Sequence, residues 1–565
     1  MATRWDLLLG RRDLLKLGLA GGASLLVSGC DRFGGGGSKL LGDLPNGQNP
    51  FLAQFGPIDR TKGDESARVF TGDRFERPHS ILWNLSSYLS QKQVEGPVEE
   101  VPLVVVGGGV AGLFTAFAHR KHRPILLEQA ARFGGNAKGE SWRGIDYSLG
   151  PAYIDYPHPG TPMRTHYDEL GLEKVLVPRD TSDPVEVNGK LYTKFWDGET
   201  EPGQREPYRR MSELFANLNA EKERAFPFIP SLNSEHRESA RHYDQWTLHE
   251  LLTKTAGGKL PKNLEIALEH YCWSTYAASS AELSATAALN FLAQEANPIR
   301  VGAGGNSKIA ETVLKRLIDE VGTDRLRAGC VVLSVQVTGD SVEVLYEDAQ
   351  NKLRKIRAKA VVLSCPKFVA AKILKDVEPE RLQTIQKLRY RSYMTANLLI
   401  KKKMPRTAYD VFMVGKGTTK IGETNRSHQE MNATDFILAN FATPQAEGNV
   451  FTFYRAFPVD GARAELYQKG SYELYRQRFE TQIERDILPL MGLKTEDIVD
   501  LRLTLWGHAL PLAAKGVYRD ETVDQLRKAH KERVFFVEQD NWVYPSLQTG
   551  ATDAILLKKE VEKVL

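Results

Sequence analysis

The sequence predicts an α/β fold: a doubly wound, dinucleotide-binding sheet of parallel strands with an α+β domain inserted into it. Three observations carry this. Leu103-Val104-Val105-Val106 is apolar and β-branched, too short for a helix, and passes through Gly107-Gly108-Gly109 straight into an Ala-rich segment, 110–121. A second apolar run, Pro124 to Leu127, ends on the acid Glu128. From about 157 to 240 the texture changes to proline, charged and aromatic residues with weak periodicity, the start of an insertion.

Each part of the first turn has a physical role. Gly107 permits the turn. Gly109 has no side chain to hold a pyrophosphate away from the backbone, and Gly112 lets helix and strand pack closely. Val110 and Ala111 open a helix whose free N–H groups and partial positive charge point at phosphates. Glu128 is placed to accept hydrogen bonds from an adenosine ribose. The 565 residues are too many for one core, so two or more domains are expected. Charge is nearly balanced, 75 basic against 71 acidic residues, and no dense basic patch carries interleaved aromatics, so nucleic acid is not an expected partner. Cys30, Cys272, Cys330 and Cys365 lack metal-ligand spacing, so no metal site is expected; a disulfide among the last three stays open.

Residues 1–30 read as an address. Arg11-Arg12-Asp13-Leu14-Leu15-Lys16 resembles a twin-arginine export signal, followed by a weakly apolar run too short to span a bilayer. Leu26-Val27-Ser28-Gly29-Cys30 resembles a bacterial lipobox, which implies lipidation at Cys30. The resemblance implies export of an already folded protein by the machinery for folded proteins, and a lipid anchor on the periplasmic face of a bacterial membrane. Gly34-Gly35-Gly36-Gly37-Ser38 reads as a flexible tether. Residues 39–98 carry turn formers and one short helix near Ser80 to Leu85, with no chemistry assigned.

After Glu128 comes Arg132-Phe133-Gly134-Gly135-Asn136. An acid followed by Arg-x-Gly-Gly resembles the flavin amine oxidase superfamily, which also includes protoporphyrinogen oxidases and phytoene-type desaturases. The resemblance implies non-covalent FAD in a Rossmann-type domain, with Arg132, Gly134 and Gly135 on the phosphates and ribityl chain. It places Gly150-Pro151-Ala152 beside the isoalloxazine and the backbone of Val332 at the adenine. It brings Trp506 and Gly516-Val517-Tyr518 near the flavin. At the end of the chain it implies contacts from Asp540 and from Thr549-Gly550-Ala551. Three departures stand out: Asn136 replaces an arginine common in amine oxidases, no glycine precedes Asp540, and Thr395 occupies the position of a lysine that holds a water near flavin N5.

The remaining elements follow in order. Thr247 and Glu250 have capping-box spacing before an apolar run. Leu264 to Ala296 is helix-prone, with His270, Trp273 and Tyr276 on one face as core or pocket lining. A helix is expected from Ser307 to about Ile318. Gly329–Val337 and Ser341–Tyr346 form a hairpin turning at Gly339-Asp340, and Ala360 to Pro366 is a buried strand. The expected division is 1–30 signal, 31–98 tether and N-terminal extension, 99–156, 300–374 and 525–565 as three FAD-binding segments, and 157–299 and 375–524 as two parts of the substrate domain. The expected function is hydride transfer from a C–H bond of an amine or lipophilic small molecule to flavin N5, with quinone or oxygen as acceptor. The alternatives are a desaturase feeding a membrane acceptor, or a flavin-binding partner protein without turnover. No catalytic base is assigned; Thr395, Trp506, His508 and Tyr544 are pocket candidates.

Overall fold

The computed structural model describes residues 69–73, 75–296, 298–423 and 433–565. The expected signal, Cys30 and tether lie outside them. The fold is α/β, built on two large sheets.

In the first sheet Glu99–Val106 pairs in parallel with Ile125–Leu127 on one side and Leu353–Leu363 on the other. Leu326–Arg327 adds a parallel strand beyond Ile125–Leu127, and Val534–Phe536 lies parallel to Val361–Leu363. Alternation along Glu99–Val106 sends Leu103 and Val105 to one face, where they pack with Leu113, Phe117, Val313 and Leu557 of the helices Val110–Ala118, Ser307–Glu320 and Leu547–Glu562. Val104 and Val106 face the opposite core, shared with the antiparallel strands Val331–Thr338 and Ser341–Glu347 and the helix Lys367–Ile373. The hairpin turns at Gly339 and Asp340 as expected, with Thr338 opposite Ser341.

The second sheet has eight strands, in the order Thr71–Gly72, Ile498–Pro511, Tyr390–Ile400, Asn449–Phe457, Asp435–Leu438, Asp410–Gly415, Val185–Val187, Lys190–Tyr192. One face carries Met394, Ala396, Leu398, Phe451 and Phe453, which pack on Tyr475 and Phe479 of the helix Ser471–Gln482. The opposite face carries Tyr393, Thr395, Tyr454 and Trp506, all of which line a large cavity. Thr247 and Glu250 form the expected capping box at the helix Leu248–Ala256. The helix-prone stretch 264–296 is two helices, Lys262–Tyr276 and Ala285–Leu292, because Ala277 adopts the left-handed conformation and ends the first. No helix among the described residues is long and apolar enough to cross a membrane.

Candidate functional site

The site begins at the glycine turn. Gly107 has a φ of +108°, and a Cβ there would stand 2.2 Å from Ser364 O. Gly109 is the extended N-cap of the helix Val110–Ala118, with no side-chain cap, so the first N–H groups of that helix are left for a ligand. Gly134 N donates to Gly108 O at 2.8 Å. A Cβ on Gly135, whose φ is +59°, would meet Gly109 Cα at 2.9 Å. The Arg-x-Gly-Gly glycines therefore press backbone on backbone against the first turn. Glu128 accepts from Gly108 N and Ala130 N, both at 2.7 Å. Burial pushes its carboxyl up while those amides hold it down.

The next turn, Gly150-Pro151-Ala152, is pinned by the second sheet. Trp506 Nε1 and Thr395 Oγ1 donate to Leu149 O at 2.8 and 3.0 Å. The Tyr454 hydroxyl donates to Gly150 O at 3.0 Å and the Tyr409 hydroxyl to Ala152 O at 3.1 Å. Thr395 thus clamps this turn with its hydroxyl.

One cavity of about 1630 Å³ joins these parts. At one end lie Gly107, Gly109, Val110, Ala111, Glu128, Gly134, Gly135 and Val332. In the middle are Gly150, Pro151 and Ala152, with Thr549 and Gly550 from the first turn of the helix Leu547–Glu562. The sheet face beside that turn adds Thr395 and Trp506, and His508 and Tyr544 line the cavity as well. Ser364 Oγ and Thr549 Oγ1 are buried in its wall without a hydrogen-bond partner among the described residues. Sealed hydroxyls and an uncapped helix N-terminus suit a phosphate-rich, polar ligand, and the volume of the cavity leaves room for a second molecule beside it.

Five expected contacts are not in the cavity wall. Gly112 lies behind the turn and serves packing alone, since a Cβ there would be 1.8 Å from Gly107 O. Arg132 directs its guanidinium to Gly139 O at 2.8 Å. Tyr518 is in the neighbouring core, its hydroxyl donating to Val543 O. Ala551 is wholly buried in its helix. Asp540 is turned away, accepting from Lys367 N at 2.9 Å and from the Tyr390 hydroxyl. The acid that lines the cavity after the strand Val534–Phe536 is Glu538, pushed well up by burial and by the charge of Asp540. His270, Trp273 and Tyr276 are core, while Ser274 and Thr275 line the cavity.

Two parts of the wall are assigned no chemistry by the sequence, although a short helix is expected near Ser80 to Leu85 and one is found at Glu76–Leu82. Phe75, Pro78, His79, Leu82 and Trp83 close one side, so the N-terminal extension forms part of the site. Its strand Thr71–Gly72 is held against Thr504 and Leu505. On the other side Asp410 and Asp435 line the cavity from adjacent strands. Neither stretch has a spacing pattern to announce it. The His508 ring lies tilted against Phe368, centroids 4.4 Å apart; burial, with Arg463 and His79 nearby, pushes it down to about 4, so it is neutral at physiological pH. Among the described residues no group of three or more His, Cys, Asp or Glu is arranged to hold a metal ion. Cys272, Cys330 and Cys365 are free thiols.

Comparison with known proteins agrees with this geometry. Residues 110–542 match the family profile described as flavin containing amine oxidoreductase. Oxidoreductase PigB of a Serratia species is 21% identical over 516 residues, covering 81% of this chain and 75% of that protein. Putrescine oxidase bound to putrescine superposes with a TM-score of 0.58 at 16% identity, over 82% of this chain and 99% of the other. A CLA-producing fatty acid isomerase from P. acnes gives 0.59 at 14% identity, over 81% and 98%. At such identities the structural likenesses show the fold alone.

Proposed function

The chain belongs to the flavin containing amine oxidoreductase family, and we propose that this FAD-dependent oxidoreductase oxidises a small amine or lipophilic molecule held at the Thr395–Trp506 end of the cavity. When bound, the flavin supplies the hydride acceptor, N5. The observation that carries the reading is the single cavity running from the glycine turn past Gly150-Pro151-Ala152 to a wall of tyrosines and tryptophan.

The residues of the chain supply binding and orientation. The amides at Val110 and Ala111 and the hydroxyls of Ser364 and Thr549 would hold the dinucleotide. Thr395, Tyr454, Tyr409 and Trp506 hold the ring turn rigid through its carbonyls. Phe75, Leu82 and Trp83 help exclude water. Non-covalent attachment is supported by the cysteines that line the cavity. Cys330 and Cys365 sit at the dinucleotide end, each thiol pushed up to about 12, mainly by burial, and unreactive at neutral pH.

The chain from Cys30 onward, purified without lipid, is expected to show a flavin spectrum, with the chromophore released by heat. Anaerobic titration with amines, porphyrinogens and polyenes then finds the donor that bleaches it, and reoxidation by oxygen or a quinone identifies the acceptor. A folded, colourless protein that cannot be reconstituted with FAD would overturn the reading. We also propose that the full chain is exported folded and anchored at Cys30. Cys30→Ala is expected to move it from the membrane to the soluble fraction of lysed cells. Unchanged membrane association would count against the anchor.

A further inference from the structure

Beyond the ring turn, the floor of the cavity is one face of the second sheet. Registered neighbours across it are Thr395, Tyr454, Asp435 and Phe412, and all four line the cavity. With adjacent strands about 4.8 Å apart, Asp435 lies about 10 Å along that row from Thr395. Asp410 is two residues before Phe412, on the same face, and lines the cavity too. Both aspartates are only 3% exposed. Asp435 accepts from Thr434 Oγ1 at 2.8 Å and is hydrogen-bonded to Ser274. Asp410 Oδ1 is sealed from solvent and has no hydrogen-bond partner among the described residues.

The neighbouring charges do not neutralise this pair. Arg179 is already shared between Asp183 at 3.4 Å and Glu295 at 2.9 Å, and Glu295 itself lines the cavity. The nearby wall carries the aromatic rings of Tyr153, Tyr393 and Tyr454, together with Ile437 and Ser274. Burial pushes both carboxyls up, and for Asp410 the charge of Asp435 adds to it; Asp435 reaches about 7. Buried carboxylates without a counter-cation are destabilising on their own. Aromatic rings beside them add attraction for a cation. Such an arrangement is completed by a positively charged ligand.

We propose that Asp410 and Asp435 form a recognition site for a cationic nitrogen, so that the substrate is an elongated molecule bearing that group about 10 Å along the sheet from the part that lies at Thr395. The proposal rests on the reading of the Thr395–Trp506 end as the place of oxidation. The pair positions the substrate and takes no part in breaking the C–H bond.

The pH dependence follows from the charges. Arg179 stays protonated, and the hydroxyls of Tyr153, Tyr393, Tyr409 and Tyr454 are pushed above their ordinary value. Asp183 is pushed up by burial but is paired with Arg179. The Asp410–Asp435 pair therefore gains negative charge as pH rises through neutrality, and a permanent cation binds more tightly above it.

The test is calorimetric titration of the flavin-loaded protein with hexyltrimethylammonium and with hexanol, at pH 6 and pH 8.5. The cation is expected to bind about tenfold more tightly at the higher pH, and hexanol equally at both. Asp410→Asn and Asp435→Asn are each expected to weaken the cation at least about tenfold and flatten its pH dependence, with flavin absorbance retained. Equal binding of the two probes by the unsubstituted protein, or cation binding indifferent to pH, would overturn the proposal without recourse to a variant. A protein that binds no flavin refutes the oxidation reading instead, and the calorimetric contrast still decides whether the carboxylate pair takes a cation.

Discussion

Gly109→Ala is expected to give a folded protein that has lost its flavin, whereas Gly112→Ala is expected to lose the fold. The two residues are three apart in one motif, yet the space around them differs. A Cβ on Gly109 would meet its nearest atom, Gly135 Cα, at 3.7 Å, an ordinary contact. The added methyl projects into the cavity, at the helix N-terminus where the pyrophosphate must approach the backbone. Stability without ligand should stay within about 1 kcal/mol of the unsubstituted protein. Flavin content should fall at least about tenfold, since displaced phosphate contacts are charge-assisted hydrogen bonds. A Cβ on Gly112 would stand 1.8 Å from Gly107 O and 3.4 Å from Ser364 Cβ. Helix Val110–Ala118 would have to lift off the strand Glu99–Val106, opening the core around Leu113, Phe117 and Leu103. Overpacking typically costs about 1–3 kcal/mol and more in the worst cases, and here the blocking atom is backbone, which cannot swing aside as a side chain can. Absorbance at the flavin band and urea unfolding of both apoproteins check the pair. A flavin-replete Gly109→Ala protein would mean that the phosphates do not pass over that turn.

The nucleotide half of this site is legible in the sequence because its requirements are local. A strand, three glycines, a helix and an acid lie within 26 residues, Leu103 to Glu128, and Gly107 answers a backbone constraint that the structure displays. The interlock of Gly134 and Gly135 with Gly108 and Gly109 explains why a second glycine pair follows so soon. The far half is not legible, because its residues come together only through sheet register. Asp410, Asp435, Tyr454 and Thr395 sit on three hairpin-connected stretches and a separate strand, and nothing local marks them as neighbours. The N-terminal wall from Phe75 to Trp83 is missed for the same reason. It has no periodicity of its own, and its place is fixed by the pairing of Thr71 and Gly72 with a strand more than 400 residues away. The substitution of Glu538 for Asp540 as the cavity acid has a different cause. Both follow the strand Val534–Phe536, and a short helical turn, Gln539–Asn541, rotates Asp540 toward Lys367.

That rotation identifies the second large effect: Lys367→Met is expected to cost about 3–5 kcal/mol and to release the flavin as well. Lys367 is 1% exposed and faces three buried acids, Glu538, Asp540 and Asp553. Its Nζ donates to Asn541 Oδ1 and lies 4.4 Å over the Phe536 ring. Its backbone N–H binds Asp540. Asn541 in turn donates to Phe536 O and to Asp553, and Trp542 Nε1 donates to Asp553 at 2.8 Å. One ammonium therefore ties the end of the last parallel strand to the helix Leu547–Glu562, whose first turn carries Thr549 and Gly550 into the cavity. Burial pushes that ammonium down to about 8, and the acids oppose the shift. Methionine fills the stem's volume but takes the ammonium away from Glu538 and Asp540, while Asp553 keeps Arg527 at 3.9 Å, so Glu538, already pushed up by burial and by Asp540, must take up a proton to stay buried. In the variant the folded state then binds more protons than the unfolded chain, and its stability falls as pH rises. The deficit should be smaller at pH 5 than at pH 8, as read from urea midpoints at the two values. Adding Asp540→Asn to Lys367→Met should restore part of the loss, because it removes one of the stranded charges. A deficit that is the same at both pH values and unmoved by Asp540→Asn would show that Lys367 acts through the packing of its stem on Phe536, with its charge irrelevant to the closing segment.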